Sequence, residues 1–133
     1  MTHQPAASIP HLSISVSDLD AAEAFYSGLL GGTVGRRTAG WIDVWLFGVQ
    51  MTLHRMPKAV TPSPYREALH FGATVGWDDW PDWLARLERA SAPMAMPPRR
   101  DADVAKLYVS DPDGYVIEIK AYADVAALAR PWS

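Results

Sequence analysis

The chain has 133 residues, no cysteine and a formal net charge of −3, with 49% hydrophobic and 20% charged residues. This is the composition of one soluble globular domain. The charge gives no electrostatic reason to expect nucleic acid or a membrane surface as a partner. The lack of cysteine excludes disulfides, thiolate metal sites and cysteine nucleophiles. Without a signal peptide or a bilayer-spanning apolar run, the expected location is the cytoplasm.

The first half of the chain predicts a strand, a helix and three further strands. The strand IPHLSISV alternates apolar and polar residues, and the amphipathic segment SDLDAAEAFYSGLLGG follows it. Ser17 or Asp18 is a suitable N-cap for this helix, and Gly31-Gly32 ends it. Three strands are then predicted, at Thr33–Thr38, Trp41–Phe47 and Val49–Arg55.

The second half predicts the same order of elements. The strand EALHFGATV is followed by the helix GWDDWPDWLARLERAS, which ends at Ala92-Pro93. Strands are predicted at Met94–Pro97, Val104–Ser110 and Tyr115–Tyr122. The sequence therefore predicts one domain, 1–133, with a first module at about 9–56, a second at about 67–122, and a tail at 123–133. A last short helix is predicted in the tail at Asp124–Arg130.

The two halves align residue by residue. Aligning His11 with His70 is an offset of 70 − 11 = 59. Aligning the last hairpins by Gly48 and Gly114 is an offset of 114 − 48 = 66, which matches Glu118 with Thr52. A pseudo-two-fold axis between the halves would gather these four side chains around one point.

His11, His70 and Glu118 each fall on the polar side of an alternating strand. Two imidazoles and one carboxylate form a facial ligand set that leaves coordination positions open for a substrate. The alternative for each histidine is an ordinary hydrogen-bonded role, and for Glu118 an ion pair with Lys106 or Lys120. A carboxylate within Val-Ile-Glu-Ile nevertheless needs compensation, because an unpaired buried charge costs several kcal/mol.

Further residues on the same faces are candidates for the site. His54 is a fourth ligand, a general acid/base or a pocket-rim residue, and Tyr108 is a hydrogen-bond donor to substrate or a packing residue. Thr52 and Lys106 are substrate-binding candidates, Lys106 for an anionic group. The pair Trp41 and Trp45 forms either a pocket wall or a subunit interface.

These segments resemble the vicinal oxygen chelate superfamily, which includes glyoxalase I, extradiol dioxygenases, fosfomycin-resistance enzymes and bleomycin-resistance proteins. The resemblance rests on HLSISVSDLDAAEAFYSGLLGG, ALHFGATV and KLYVSDPDGYVIEIKAY, and it spans roughly residues 9–122. It implies an α+β fold in which two paired βαβββ modules form an open, curved mixed sheet around a central metal cleft, with the helices on the outer face. It also implies a homodimer and one divalent metal on His11, His70 and Glu118.

The resemblance separates the reaction classes only in part. Glyoxalase I enzymes have a glutamate ligand where this chain has Thr52. Fosfomycin-resistance enzymes and extradiol dioxygenases both have a tyrosine ten residues before the glutamate, as Tyr108 is here (118 − 108 = 10). The fosfomycin enzymes also have a basic residue shortly after the glutamate, and the segment 123–129 has none. Extradiol enzymes have an acid/base histidine before the second histidine ligand, and His54 lies close to that spacing.

The sequence therefore predicts a metal-dependent enzyme that chelates a small oxygenated molecule, with an extradiol-dioxygenase-like reaction slightly favoured. In that version Fe²⁺ is the preferred ion over Mn²⁺, Zn²⁺ or Ni²⁺, Tyr108 hydrogen-bonds the substrate and His54 transfers a proton. The alternatives are a glyoxalase-like isomerase or lyase, a fosfomycin-resistance-like transferase, and a ligand-binding protein of the bleomycin-resistance type without catalysis.

Overall fold

The structure is a computed structural model, and it describes residue 6 and the ranges 8–65 and 68–129, without the side chains of residues 127 and 129. The chain divides between Thr61 and Pro62 into two compact units. The start of the predicted second module at residue 67 and the end of the predicted tail lie outside the described residues. Within the described ranges, no helix is long and apolar enough to cross a membrane.

The first unit is a strand, a helix and three strands. Its elements are β1 (His11–Val16), α1 (Leu19–Glu23), β2 (Thr33–Arg37), β3 (Trp41–Leu46) and β4 (Val49–Arg55), with a 3-10 turn at Pro57–Ala59. The four strands form one sheet in the order β1-β4-β3-β2. β1 pairs with β4 in parallel, and the other pairs are antiparallel.

The first helix differs from the single α-helix that the sequence predicts. Asp18 is the N-cap, and its side chain accepts hydrogen bonds from the backbone N–H groups of Asp20 and Ala21. After five α-helical residues the chain widens into a π-helix over Ala24–Leu29. The Leu30 N–H donates to the Phe25 carbonyl, five residues back, at 2.9 Å. Gly31 then ends the helix with a φ of 83°.

The second unit repeats the order of the first. Its elements are β5 (Phe71–Thr74), α2 (Trp80–Arg89), β6 (Met94–Arg100), β7 (Val104–Ser110) and β8 (Val116–Tyr122), followed by a 3-10 turn at Val125–Ala129. The sheet order is β5-β8-β7-β6, with β5 and β8 parallel. The strand predicted to end at Pro97 continues to Arg100. Two prolines are tolerated there because β6 is an edge strand with register shifts.

The strand registers confirm the predicted repeat. In the first unit Thr52 lies opposite Ser13 on one side and Asp43 on the other. In the second unit Glu118 lies opposite Gly72 on one side and Tyr108 on the other. Since Ser13 and Gly72 each follow the aligned histidine by two residues, Thr52 and Glu118 occupy the same position in the two units.

Each unit has its own buried apolar layer beneath its helix. In the first unit Val16, Ile42, Val44 and Leu53 are fully buried. In the second unit, the buried Trp80 of α2 donates its indole N–H to the carbonyl of Ile119 in β8 at 3.0 Å. This bond holds α2 against β8. The helices therefore fix the strands that carry the candidate site residues.

The parallel pair β5 and β8 is unusually close at Gly72. A Cβ atom on Gly72 would lie 1.7 Å from the carbonyl oxygen of Glu118, well inside van der Waals contact. Only glycine permits this approach, and His70 lies two residues before it in the chain. The separation of β5 from β8 therefore determines how close His70 comes to Glu118.

Gly72→Ala is expected to lower the free energy of unfolding by about 1–3 kcal/mol, because the added methyl group must push β5 away from β8. Urea unfolding followed by circular dichroism measures the change. Gly28→Ala is the matched control, since a Cβ atom on Gly28 meets nothing within 4 Å. That control should be neutral or stabilising by up to ~1 kcal/mol. Equal midpoints for the two variants would contradict the close approach.

Candidate functional site

The second unit brings His70, Glu118 and Tyr108 together. The His70 Nε2 atom lies 2.5 Å from the Glu118 Oε2 atom, and the two side chains are 18% and 8% exposed. The rings of His70 and Tyr108 meet edge to face, with centroids 5.5 Å apart. Tyr108 and Glu118 are direct neighbours across β7 and β8. Two of the three predicted metal ligands thus converge beside Tyr108, which the sequence predicts to be catalytic.

The environment of Tyr108 keeps its hydroxyl protonated. Burial raises the pKa of Tyr108, and the charge of Glu118 and a hydrogen bond to it raise the pKa further. The charge of Arg99 opposes this rise with a smaller effect. Tyr108 therefore remains a hydrogen-bond donor at neutral pH.

His11 lies in the first unit, at the exposed start of β1. Its Nδ1 atom lies 3.0 Å from the carbonyl oxygen of Gln50. Since a carbonyl only accepts, Nδ1 carries the proton and the Nε2 lone pair remains available for a cation. Among the described residues of one chain, no three His, Asp or Glu side chains are gathered as a metal site. The structure thus brings together His70 and Glu118 within one unit and places His11 in the other.

The first unit contains its own groove, with a volume of about 330 Å³. It is lined by His11, Arg36, Trp41, Asp43, Gln50, Thr52 and His54. Four of these residues, His11, Trp41, Thr52 and His54, are candidates that the sequence places on the polar face. His54 lies directly opposite Trp41 in the sheet. Trp45, the other tryptophan that the sequence predicts to bind substrate, lies on the same face of β3 as Trp41 and is 41% exposed.

Sequence reasoning assigned no role to Asp43, which organises this groove. Asp43 is 2% exposed, and its Oδ2 atom accepts a hydrogen bond from Arg36 Nε at 2.9 Å. Its Oδ1 atom accepts from the Thr52 hydroxyl, also at 2.9 Å. The sequence signal that identified Glu118, a carboxylate within an apolar strand, could also have identified Asp43, which lies within Trp-Ile-Asp-Val-Trp.

The contacts of Asp43 keep it ionised. Burial alone would raise the pKa of Asp43, but hydrogen bonds from Thr52, Arg36 and Gln50, with the charge of Arg36, outweigh burial and lower it. The Thr52 hydroxyl therefore uses its only proton in the hydrogen bond that it donates to the ionised Asp43 carboxylate. Thr52 can offer lone pairs to the groove, and it favours a ligand group that donates a hydrogen bond.

The second unit has a smaller cleft of about 220 Å³ at the candidate metal ligands. It is lined by His70, Phe71, Gly72, Ala73, Thr74, Glu118 and Lys120. Lys106, a predicted substrate-binding residue, lies two residues before Tyr108 on the same face of β7. It is directly opposite Lys120. The cleft therefore combines a histidine and carboxylate pair with nearby cationic groups.

Comparisons with known proteins agree with this architecture. The family model described as "Glyoxalase/Bleomycin resistance protein/Dioxygenase superfamily" matches residues 8–119. The chain is 28% identical over 127 residues to glutathione transferase FosA of Serratia marcescens, covering 92% of this chain and 86% of the relative. It is 26% identical over 116 residues to metallothiol transferase FosB of Staphylococcus epidermidis, covering 84% and 80%.

A solved structure is similar over most of the fold. The glyoxalase/bleomycin resistance protein/dioxygenase from Alicyclobacillus acidocaldarius has a TM-score of 0.75 and 26% sequence identity. The match covers 88% of this chain and 92% of that chain. The predicted α+β fold, with a four-stranded mixed sheet in each module, is therefore confirmed.

Asp43→Asn is expected to lower the free energy of unfolding at pH 7 by about 1–3 kcal/mol, because a buried hydrogen-bonded charge is lost. The folded state lowers the pKa of Asp43 below its ordinary value of 3.8. Its stabilisation is therefore present above about pH 4 and is lost as the pH falls through the folded-state pKa. Unfolding by urea between pH 3 and 7 should show a shallower pH dependence in Asp43→Asn than in the unmodified protein.

The exposed Asp82 provides the control for this measurement. Asp82→Asn should retain the pH dependence of the unmodified protein, because no described side chain forms an ion pair with Asp82. If Asp43→Asn and the unmodified protein lose stability in parallel below pH 4, Asp43 is not the ionised centre of the groove.

Proposed function

Because the chain belongs to the glyoxalase, bleomycin resistance protein and dioxygenase superfamily, we propose that it is a metal-dependent enzyme acting on a small oxygenated molecule. His70 and Glu118 are two ligands of a divalent cation, and His11 is the third. The observation that carries this proposal is the meeting of His70 Nε2 and Glu118 Oε2 at 2.5 Å beside the Tyr108 ring.

The donor set fits such an ion. Imidazole nitrogen with one carboxylate suits first-row divalent metals and leaves positions open for substrate. The side chains of His70, just before β5, and Glu118 in β8 meet, and both would serve as ligands of such a cation. The Gln50 carbonyl orients His11 from behind, which is the usual way a ligating histidine is held.

A divalent cation in this place would supply Lewis acidity to an oxygen of the substrate. The chain's own residues do the rest. In this proposal the Tyr108 hydroxyl turns from Glu118 to the substrate and donates a hydrogen bond to that oxygen as negative charge develops on it. Thr52 accepts a hydrogen bond from a donor group of the substrate. His54, in the groove that also contains His11, receives or returns a proton. Trp41 forms the wall that excludes water.

The reaction we favour is the transfer of a thiol to an electrophilic carbon of the substrate. Its support is that two curated relatives, each covering four fifths or more of this chain, are named as a glutathione transferase and a metallothiol transferase. In this reaction the sulfur forms a bond to carbon, the carbon–oxygen bond breaks, and the released oxygen takes a proton. In this proposal Tyr108 stabilises that oxygen, and His54 accepts the thiol proton.

An extradiol-dioxygenase-like reaction, which the sequence slightly favours, is the second candidate. The specific observation for it is that His54 lines the same groove as His11, as an acid/base histidine would. For this reaction the ion is Fe²⁺. For thiol transfer Mn²⁺, Zn²⁺ and Ni²⁺ serve as well, since the ion changes no oxidation state. In both versions we propose a homodimer, with His11 supplied by the same chain or by the second copy.

Protein purified without chelators is expected to contain about one divalent metal ion per chain. Each ligand contributes a large share of the free energy of metal binding. His70→Ala and Glu118→Gln, which each remove one ligand, should therefore each lower metal affinity by about 100-fold or more. Elemental analysis by inductively coupled plasma mass spectrometry, with titration of the apo protein, measures both quantities. Native mass spectrometry of the same samples reports the oligomeric state.

The matched control is Glu88→Gln, which removes an exposed carboxylate from α2 and should leave metal content unchanged. The proposal would be refuted if the purified protein contained no metal and did not bind added Mn²⁺, Fe²⁺, Ni²⁺ or Zn²⁺. It would also be refuted if the Glu118→Gln variant bound metal as tightly as the Glu88→Gln variant. The chain would then be a binding protein without a metal centre.

The two reactions are separated by following different reactants. With a panel of oxygenated electrophiles, thiol transfer consumes glutathione or cysteine in a metal-dependent manner, and Tyr108→Phe should slow it about 10–100-fold. With Fe²⁺ and a catechol panel, a dioxygenase instead consumes oxygen. Oxygen uptake without thiol consumption would replace the first reaction by the second.

A further inference from the structure

A buried carboxylate takes, in the first unit, the place that a tyrosine takes in the second. Thr52 and Glu118 occupy the same position in their own units. In the neighbouring antiparallel strand, Asp43 lies opposite Thr52, and Tyr108 lies opposite Glu118. Asp43 is ionised at neutral pH, whereas Tyr108 keeps its proton. The first unit therefore has a hydrogen-bond acceptor where the second unit has a donor.

Donors on both oxygens hold the Asp43 carboxylate in one orientation. Arg36 Nε donates to the Oδ2 atom and the Thr52 hydroxyl donates to the Oδ1 atom, each at 2.9 Å. The Arg36 guanidinium carbon also lies 5.2 Å from the centroid of the Trp41 ring, a cation–π contact that helps to fix the arginine. Asp43 is almost fully buried and Thr52 is half-buried. A ligand in the groove therefore meets the Thr52 hydroxyl rather than the carboxylate behind it.

The carboxylate dictates how the Thr52 hydroxyl is oriented. An ionised carboxylate only accepts, so the hydroxyl gives it the single proton and keeps its lone pairs for the groove. An asparagine at position 43 would have the opposite effect. Because Arg36 only donates, it would take the side-chain oxygen and leave the amide NH₂ group facing Thr52. The Thr52 hydroxyl would then accept from the amide and donate its proton to a ligand.

We propose that Asp43 is a positioning residue for substrate specificity, which acts through Thr52 to select a substrate with an O–H or N–H group at this point of the groove. A ketone or an ether placed there would set its lone pairs against those of Thr52, and the hydrogen bond would be lost. This inference rests on the proposed function and deepens it. The substrate then has a free hydroxyl or amine in addition to the oxygens that bind the metal.

The test compares two probes with the same carbon skeleton, 1-phenylethanol, which can donate a hydrogen bond, and acetophenone, which only accepts. Their phenyl ring suits the Trp41 wall of the groove. Nuclear magnetic resonance titration of the full chain, metal-free and loaded with Zn²⁺, should show the alcohol binding about three- to tenfold more tightly than the ketone. In Asp43→Asn the ratio of the two affinities should fall to about one, because Thr52 can then donate to either probe.

Two variants of Thr52 keep the test decisive if Asp43→Asn fails to fold. Thr52→Ser retains the hydroxyl and should retain the preference for the alcohol, whereas Thr52→Val should abolish it. Asp82→Asn, which removes an exposed carboxylate from the other unit, should behave as the unmodified protein.

The inference would be overturned if the preference persisted in Asp43→Asn or Thr52→Val. It would also be overturned if the unmodified protein bound both probes equally or neither of them. The Zn²⁺ content of every variant is measured on the same samples and should be normal. Normal metal binding without the preference for the alcohol would leave the proposed function intact.

Discussion

The candidate site depends on the register of β8 between its two neighbours. Glu118 lies opposite Gly72 in the parallel strand β5 and opposite Tyr108 in the antiparallel strand β7. A shift of one residue in either ladder would move the carboxylate to the apolar face. β5 and β8 approach so closely at Gly72 that no side chain fits between them, and this close approach holds the two strands in register. The contact between His70 and Glu118 is a consequence of that constraint.

The fold was predictable because each unit has strong local signals. Period-two alternation defines the faces of β1, β3, β4, β7 and β8, and Asp18 caps the first helix as the sequence indicates. The repeat added long-range information, since aligning His11 with His70 places Thr52 and Glu118 at equivalent positions. The π-helical end of the first helix was not predictable, because the extra residue per turn leaves no mark on apolar periodicity over only six residues.

The meeting of His70, Glu118 and Tyr108 was predictable from the sequence, and the electrostatics around them was not. His70, Glu118 and Tyr108 were found because polar residues on adjoining strands fall on one face. Arg36 and Arg99 were missed because ladder partners depend on bulges in β2 and β6, which shift the register between the paired strands. A sequence without an alignment contains no record of such shifts. Asp43 showed the same signal as Glu118 and lacked only a histidine partner.

The edge strand β6 has a consequence for the behaviour of the chain at high concentration. An open sheet edge offers unpaired N–H and carbonyl groups to which another polypeptide can add as a further strand. In β6 the consecutive Pro97 and Pro98 have no N–H to offer, and two register shifts break the spacing of the remaining groups. This margin of the second sheet is therefore a poor template for edge-to-edge association. The prolines that make β6 irregular also protect a half-apolar β-rich protein against aggregation through that edge.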